Sequence, residues 1–107
     1  MEIVYSKQSY KDYEKLKQFP VLLEKVKSLI KLLENNPFET PPSYEKLLGF
    51  NNVYSRRINV HHRLIYEVRK EENTVVIIRM WTHYEWKKEP LGLFLFHYFL
   101  FTRKLLS

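Results

Sequence analysis

The sequence predicts an α+β domain in which two N-terminal helices pack on a small, mostly antiparallel sheet. Three observations lead there. Apolar residues early in the chain recur at helical spacing, best seen in Leu22, Val26, Leu29 and Leu33. Beyond Val53 the apolar period becomes two, the pattern of strands with one face turned to a core. Between these regimes runs a stretch containing Pro41, Pro42 and Gly49 that has no clean period.

Taken in order, Glu2 to Tyr5 reads as a short strand, and Ser6 is placed to cap the helix that follows. From Lys7 to Gln18, Tyr10, Tyr13 and Leu16 recur every third residue as a modest apolar stripe. Pro20 separates this segment from a stronger helix over Val21 to Glu34, which leaves Lys25, Lys27, Lys31 and Glu34 outside. Asn35-Asn36-Pro37 ends it, because proline cannot continue the helical ladder. Phe38 to Asn52 is expected to be a loop. Three strands follow at Val53 to Asn59, Arg63 to Arg69 and Thr74 to Trp81, the last two joined by the polar hairpin link Lys70 to Asn73. Leu64, Tyr66 and Val68 share one face, the core face, and Arg63, Ile65 and Glu67 the other.

A chain of 107 residues is the size of one ordinary domain, and a hydrophobic share of 45% is enough for a core. Lys and Arg number 18 against 12 acids, a formal charge of +6. Such a surface attracts polyanions, which admits RNA, DNA, an anionic membrane or an acidic protein partner. The absence of cysteine excludes disulfides and thiolate metal sites. Met1-Glu2-Ile3-Val4-Tyr5 lacks a basic region followed by an apolar run, so the expected compartment is the cytoplasm. Leu91 to Phe101 is almost wholly apolar, yet shorter than the ~20 residues a membrane span requires. The expected division is therefore a domain over residues 1–86 and an apolar extension over 87–107. The extension could pack on its own domain or on a second copy, which admits a homodimer.

Four groups can carry chemistry: Glu45, the basic strand pair, His83 and Tyr84. Antiparallel pairing brings Arg56, Arg57, His62 and Arg63 onto neighbouring strands, and His83-Tyr84 follows the third strand and can meet the same face. RNA cleavage needs few parts, because the 2′-hydroxyl is an internal nucleophile. A base for that hydroxyl, an acid for the leaving 5′-oxygen and a cation for the phosphoryl oxygens suffice. Glu, His and Arg supply all three, and an Arg fork matches phosphate with two parallel hydrogen bonds.

The order and spacing of several stretches carry more than residue types do. They are Pro37-Phe38-Glu39, Glu45-Lys46-Leu47, Tyr54-Ser55-Arg56-Arg57-Ile58, His62-Arg63-Leu64-Ile65-Tyr66 and His83-Tyr84. Together they resemble the YoeB/Txe branch of the RelE-like toxins over roughly residues 1 to 84. The resemblance implies a RelE-like fold and a ribosome-dependent endoribonuclease that cuts mRNA in the ribosomal decoding site. It implies Glu45 as general base, Arg63 as phosphate clamp and His83 as general acid, with Tyr84 positioning the RNA. The implied partners are the ribosome, its mRNA and a cognate antitoxin, often of the YefM type, with no cofactor and no metal. Lys46, Arg56, Arg57 and His62 are the candidate RNA-binding residues. This chain departs from the family at Leu48, where a lysine is frequent, and in continuing to Ser107 beyond the histidine-tyrosine pair.

Plainer roles compete with these. Arg63 can serve a structural ion pair across the sheet, though not directly with Glu67, since four residues of strand span about 13 Å. Arg56 and Arg57 point to opposite faces, so at most one faces RNA. Tyr66 belongs with Leu64 and Val68 in the core. The alternative function is a non-catalytic module of the same fold that binds an antitoxin or nucleic acid.

Overall fold

The computed structural model describes residues 1–83, in the order β1 (Glu2–Tyr5), α1 (Lys7–Leu16), α2 (Pro20–Asn35), β2 (Glu45–Lys46), β3 (Val53–Arg57), β4 (His62–Arg69) and β5 (Thr74–His83). Tyr84 and the expected extension over 87–107 lie outside the described residues. The strands form one sheet in the order β1-β5-β4-β3-β2. β1 runs parallel to β5, and every other neighbouring pair is antiparallel. This is the expected α+β architecture, with both helices on one face.

Local chemistry explains most of the element ends. Ser6 caps α1, its Oγ accepting from Ser9 N at 3.1 Å, and the same hydroxyl donates to Ile78 O on β5 at 2.7 Å. α2 begins at Pro20, one residue before the expected start, because a proline fits the first helical position, whose amide has no intrahelical partner. Asn73, at φ 52°, supplies the left-handed residue that closes the β4–β5 hairpin.

The main core lies between helices and sheet, where Leu16, Val26, Leu29 and Leu33 meet Leu64, Tyr66, Val68, Val75, Ile77 and Met80. Leu64, Tyr66 and Val68 thus share the core face, as their alternation requires. A second, smaller cluster of Val53, Ile65, Val76 and Ile78 forms on the opposite face, covered by Leu47 and Phe50. That cover is why Ile65 can be buried on the side shared with Arg63.

Two expectations need correction. Phe38 to Asn52 is not all loop, because Glu45 and Lys46 form β2 at the sheet edge, opposite Ser55 and Tyr54. Two residues are too few to show a period in sequence. The expected apolar stripe of α1 holds at Leu16, which is buried, and at Tyr13, which packs against the core, but not at Tyr10. Tyr10 is exposed, while Ser9, Asp12 and Leu16 are buried. Asp12 is fully buried because β5 satisfies its carboxylate. Oδ2 accepts from Arg79 Nε at 2.8 Å, Met80 N at 3.0 Å and Trp81 N at 3.2 Å, and Oδ1 from Arg79 Nη2 at 3.2 Å. Here the β4–β5 register shifts twice, between Arg63 and Tyr66 on β4. Amides that a regular ladder would use are turned to the carboxylate instead.

Candidate active site

The sheet face away from the helices gathers Glu45, Arg57 and Arg63 at one end. Directly paired residues on antiparallel strands share a face, which sets Ser55 on β3 beside Glu45 on β2, and Arg57 on β3 beside Arg63 on β4. Arg63 Nη1 stands 3.5 Å from Glu45 Oε2 and donates to Ser55 Oγ at 3.3 Å. The Arg63 side chain is 17% exposed and Glu45 65% exposed, so the carboxylate reaches in from the open rim over a largely covered guanidinium. Arg57 is exposed. Two arginines directly opposed on one face repel each other unless anionic groups lie against them. Glu45 supplies one such group at Arg63.

β5 brings its last residues to the same end. Thr82 is in register with Arg63, and His83 with His62, so the His83 backbone lies one position beyond the arginine. Across these strands the backbone order at this end is Glu45, Ser55 and Arg57, Arg63, then Thr82, with His83 opposite His62.

The structure does not put every candidate on this surface. Arg56 is fully buried on the helix side of β3, donating to the Tyr66 hydroxyl and to the carbonyls of Pro37, Glu39 and Pro42. As an RNA-binding residue it is therefore corrected: its donors serve the protein's own main chain. His62 is corrected similarly. It is 8% exposed, its ring centroid lies 4.2 Å from that of Trp81, and its Nδ1 is 3.0 Å from Asn59 Oδ1. Lys46 is exposed but pairs with Tyr54, so strand alternation turns it away from the face holding Glu45. Arg57, on the opposite face from Arg56, is exposed. Glu67 pairs with Arg69 at 2.7 Å rather than with Arg63, as the spacing required.

Sequence reasoning missed Ser55, Asn59 and Asp12. Ser55 orients Arg63. Asn59 Oδ1 accepts from the amides of His61 at 2.9 Å and His62 at 2.7 Å, which shapes the β3–β4 turn. A usable signal existed for Asp12, since Ser9, Asp12 and Leu16 fall at helical spacing facing β5. A groove of about 330 Å³ lined by Tyr5, Tyr10, Tyr13, Ile30 and Met80 lies on the helix side, with Lys27 as its one charged lining residue. It contains no acid–base set. Among the described residues no three His, Asp or Glu side chains gather as a metal site would require, and no helix is long and apolar enough to cross a membrane.

Fold and site together define a small basic α+β protein with a Glu–Arg pair at one sheet end, the class to which the RelE-like toxins belong. The family model for the YoeB-like toxin of bacterial type II toxin–antitoxin systems matches residues 5–84, and the chain belongs to that family. It is 31% identical over 87 residues to Toxin YoeB of Synechocystis sp., covering 79% of this chain and 99% of that protein. The YoeB/ParE toxin from Agrobacterium tumefaciens superposes with a TM-score of 0.71 at 30% identity, covering 78% of this chain and 100% of that one. Staphylococcus aureus YoeB, solved as a dimer, gives 0.69 at 33% identity over 78% of this chain and 98% of its own. That toxin has also been solved in a heterotetrameric complex with YefM.

Proposed function

We propose that this toxin is an endoribonuclease that cuts mRNA in the ribosomal decoding site, with the RNA 2′-hydroxyl as nucleophile. The observation that carries the reading is the opposed arginine pair with one carboxylate at its rim. Arg57 faces Arg63 across β3 and β4, and Glu45 stands 3.5 Å from Arg63. A scissile phosphate held by these arginines would meet a carboxylate at hydrogen-bonding range.

The chemistry then needs one step. Glu45 takes the proton of the 2′-hydroxyl, and the freed oxygen attacks the adjacent phosphorus. Arg63 stabilises the charge that grows on the non-bridging oxygens. The bond to the 5′-oxygen breaks, and His83 supplies the proton that this leaving group requires. The products are a 2′,3′-cyclic phosphate and a 5′-hydroxyl. Tyr84 positions the RNA, and Arg57 adds a phosphate contact.

The proposed partners are the ribosome, its mRNA and a cognate antitoxin, in the cytoplasm. The solved complex of Staphylococcus aureus YoeB with YefM supports an antitoxin of YefM type, and the dimer of that protein supports self-association. A charge of +6 suits an acidic antitoxin segment as well as RNA.

Mapped cleavage of an mRNA in a translating extract, against the same RNA without ribosomes, tests the reading. Cleavage confined to the ribosome-bound message and abolished in Glu45→Gln is the expected result. A wild-type protein that binds antitoxin but leaves the message intact would establish the non-catalytic alternative instead.

A further inference from the structure

Arg56 is the largest fully buried side chain of the described residues. Its Nε donates to Tyr66 Oη at 3.0 Å, its Nη2 to Pro37 O at 3.0 Å and Glu39 O at 2.8 Å, and its Nη1 to Pro42 O. The guanidinium also lies 5.1 Å from the centroid of the Tyr44 ring. A core could be filled at this position by an apolar residue without the desolvation cost of a buried charge. What arginine adds is a fixed fork of donors.

Those donors are directed at one segment. Pro37, Pro41 and Pro42 have no amide hydrogen to give a ladder, and no regular element spans residues 36–44. Main-chain carbonyls there need donors from elsewhere, and Arg56 serves three of them. The segment runs directly into Glu45. β2 itself is only two residues at a sheet edge, held by its pairing with Tyr54 and Ser55 and by Leu47 N donating to Val53 O at 2.9 Å. So short an edge strand cannot by itself hold a carboxylate within the fraction of an ångström that proton abstraction demands. Arg56 neighbours Ser55 on β3, so the clamp and the strand that pairs with Glu45 are one piece.

We propose that Arg56 is a positioning residue, clamping the Pro37–Tyr44 segment so that the Glu45 carboxylate stands at a fixed place beside Arg63. This rests on the endoribonuclease reading for the role of Glu45, and the position of the segment can be tested apart from it.

The test compares the full-length wild type with Arg56→Lys, Arg56→Met and Glu45→Gln, using translating ribosomes and a mapped message. Lysine keeps the charge but cannot reach four acceptors, so Arg56→Lys is expected to lower kcat on the order of 10²-fold with KM unchanged. Rates are normalised to folded protein by a cooperative melt, so a merely structural loss cannot mimic the kcat effect. Amide hydrogen exchange is expected to quicken at Tyr44, Glu45, Lys46 and Leu47 and to stay as in wild type along β4 and β5. A wild-type kcat in Arg56→Lys, or exchange that quickens equally across the whole sheet, would overturn the proposal. If both Arg56 variants fail to fold, Tyr44→Leu, which removes the ring beneath the guanidinium, should show the same pattern in milder form. Wild-type kcat and exchange in that variant would overturn it too. If Glu45→Gln cleaves as fast as wild type, the catalytic reading of Glu45 fails instead, and local exchange alone then decides whether Arg56 sets its place.

Discussion

Replacing Asp12 with alanine should remove a large part of this domain's stability, and the structure gives the magnitude. The carboxylate is fully buried and accepts from Arg79 Nε at 2.8 Å, Arg79 Nη2 at 3.2 Å, Met80 N at 3.0 Å and Trp81 N at 3.2 Å. Alanine leaves a guanidinium without its carboxylate and turns two main-chain amides toward a cavity. Breaking a buried pair by deleting one partner costs about 3–5 kcal/mol. Arg79 is 17% exposed, so water can reach part of it, which favours the lower end of that range. Against a total of about 5–15 kcal/mol for an ordinary domain, this is a large share. The melting temperature should fall by about 12 °C or more. Asp12→Asn keeps the shape and one accepting oxygen but removes the charge, and should cost about 1.5–3 kcal/mol. Urea unfolding followed by tryptophan fluorescence is the direct assay, since Trp81 is held by this carboxylate through its amide. Asp12→Leu combined with Arg79→Met should recover much of the loss, because removing both charges leaves neither stranded. A loss below about 1 kcal/mol in Asp12→Ala would refute the reasoning, since it would mean water replaces the hydrogen bonds from Arg79, Met80 and Trp81.

Further outcomes are expected elsewhere. Arg63→Lys keeps the charge but loses the planar fork, and cleavage should slow about 10²–10³-fold, measured per folded molecule on ribosome-bound message. An mRNA with a 2′-deoxy sugar at the scissile nucleotide should resist cutting, and its cleavage would remove the proposed nucleophile. Burial raises the Tyr66 hydroxyl above its usual range, only partly offset by the hydrogen bond from Arg56. The fold therefore holds that proton when the unfolded chain has released it, so stability is unaffected below about pH 10 and falls as pH rises beyond it. Urea midpoints between neutral and strongly alkaline pH should drop less in Tyr66→Phe than in wild type.

How much of this was legible in the sequence depends on the length over which a pattern repeats. α2 has sixteen residues and β4 eight, long enough for periods of 3.6 and 2 to declare themselves. β2 has two and could not. Glu45 therefore looked like a loop residue, and its placement beside Arg63 came only with the β3 pairing. The role of Arg56 was partly readable. Tyr54, Arg56 and Ile58 alternate along one strand, and both flanking residues are buried, so parity alone puts Arg56 on the core face. An arginine within a serine-arginine-arginine block nevertheless invites a reading as an RNA contact. Composition carries no mark that separates a buried guanidinium from a solvated one. The partners that decide it, the carbonyls of Pro37, Glu39 and Pro42, lie 14 to 19 residues away.

The two buried charges share a logic that joins fold to site. At the middle of the candidate face, Arg63 on β4 is paired on both sides, with Arg57 on β3 and Thr82 on β5. Its flanks do not have that support. Glu45 stands on a two-residue edge strand, and His83 ends β5 just beyond the place where the β4–β5 register shifts. Near both places the helix side of the sheet contributes a buried ionic side chain. Arg56 holds the chain leading to Glu45, and Asp12 holds the amides of Met80 and Trp81 on the approach to His83. Charges buried at such cost are hard to justify by packing alone. Arg56 lies beneath the strand that carries Glu45, which favours a role in holding that carboxylate beside Arg63. The corollary is that a conservative change at Arg56, on the opposite face from Glu45 and Arg63, should impair cleavage more than its loss of stability accounts for. A surface change at exposed Lys31 should do neither.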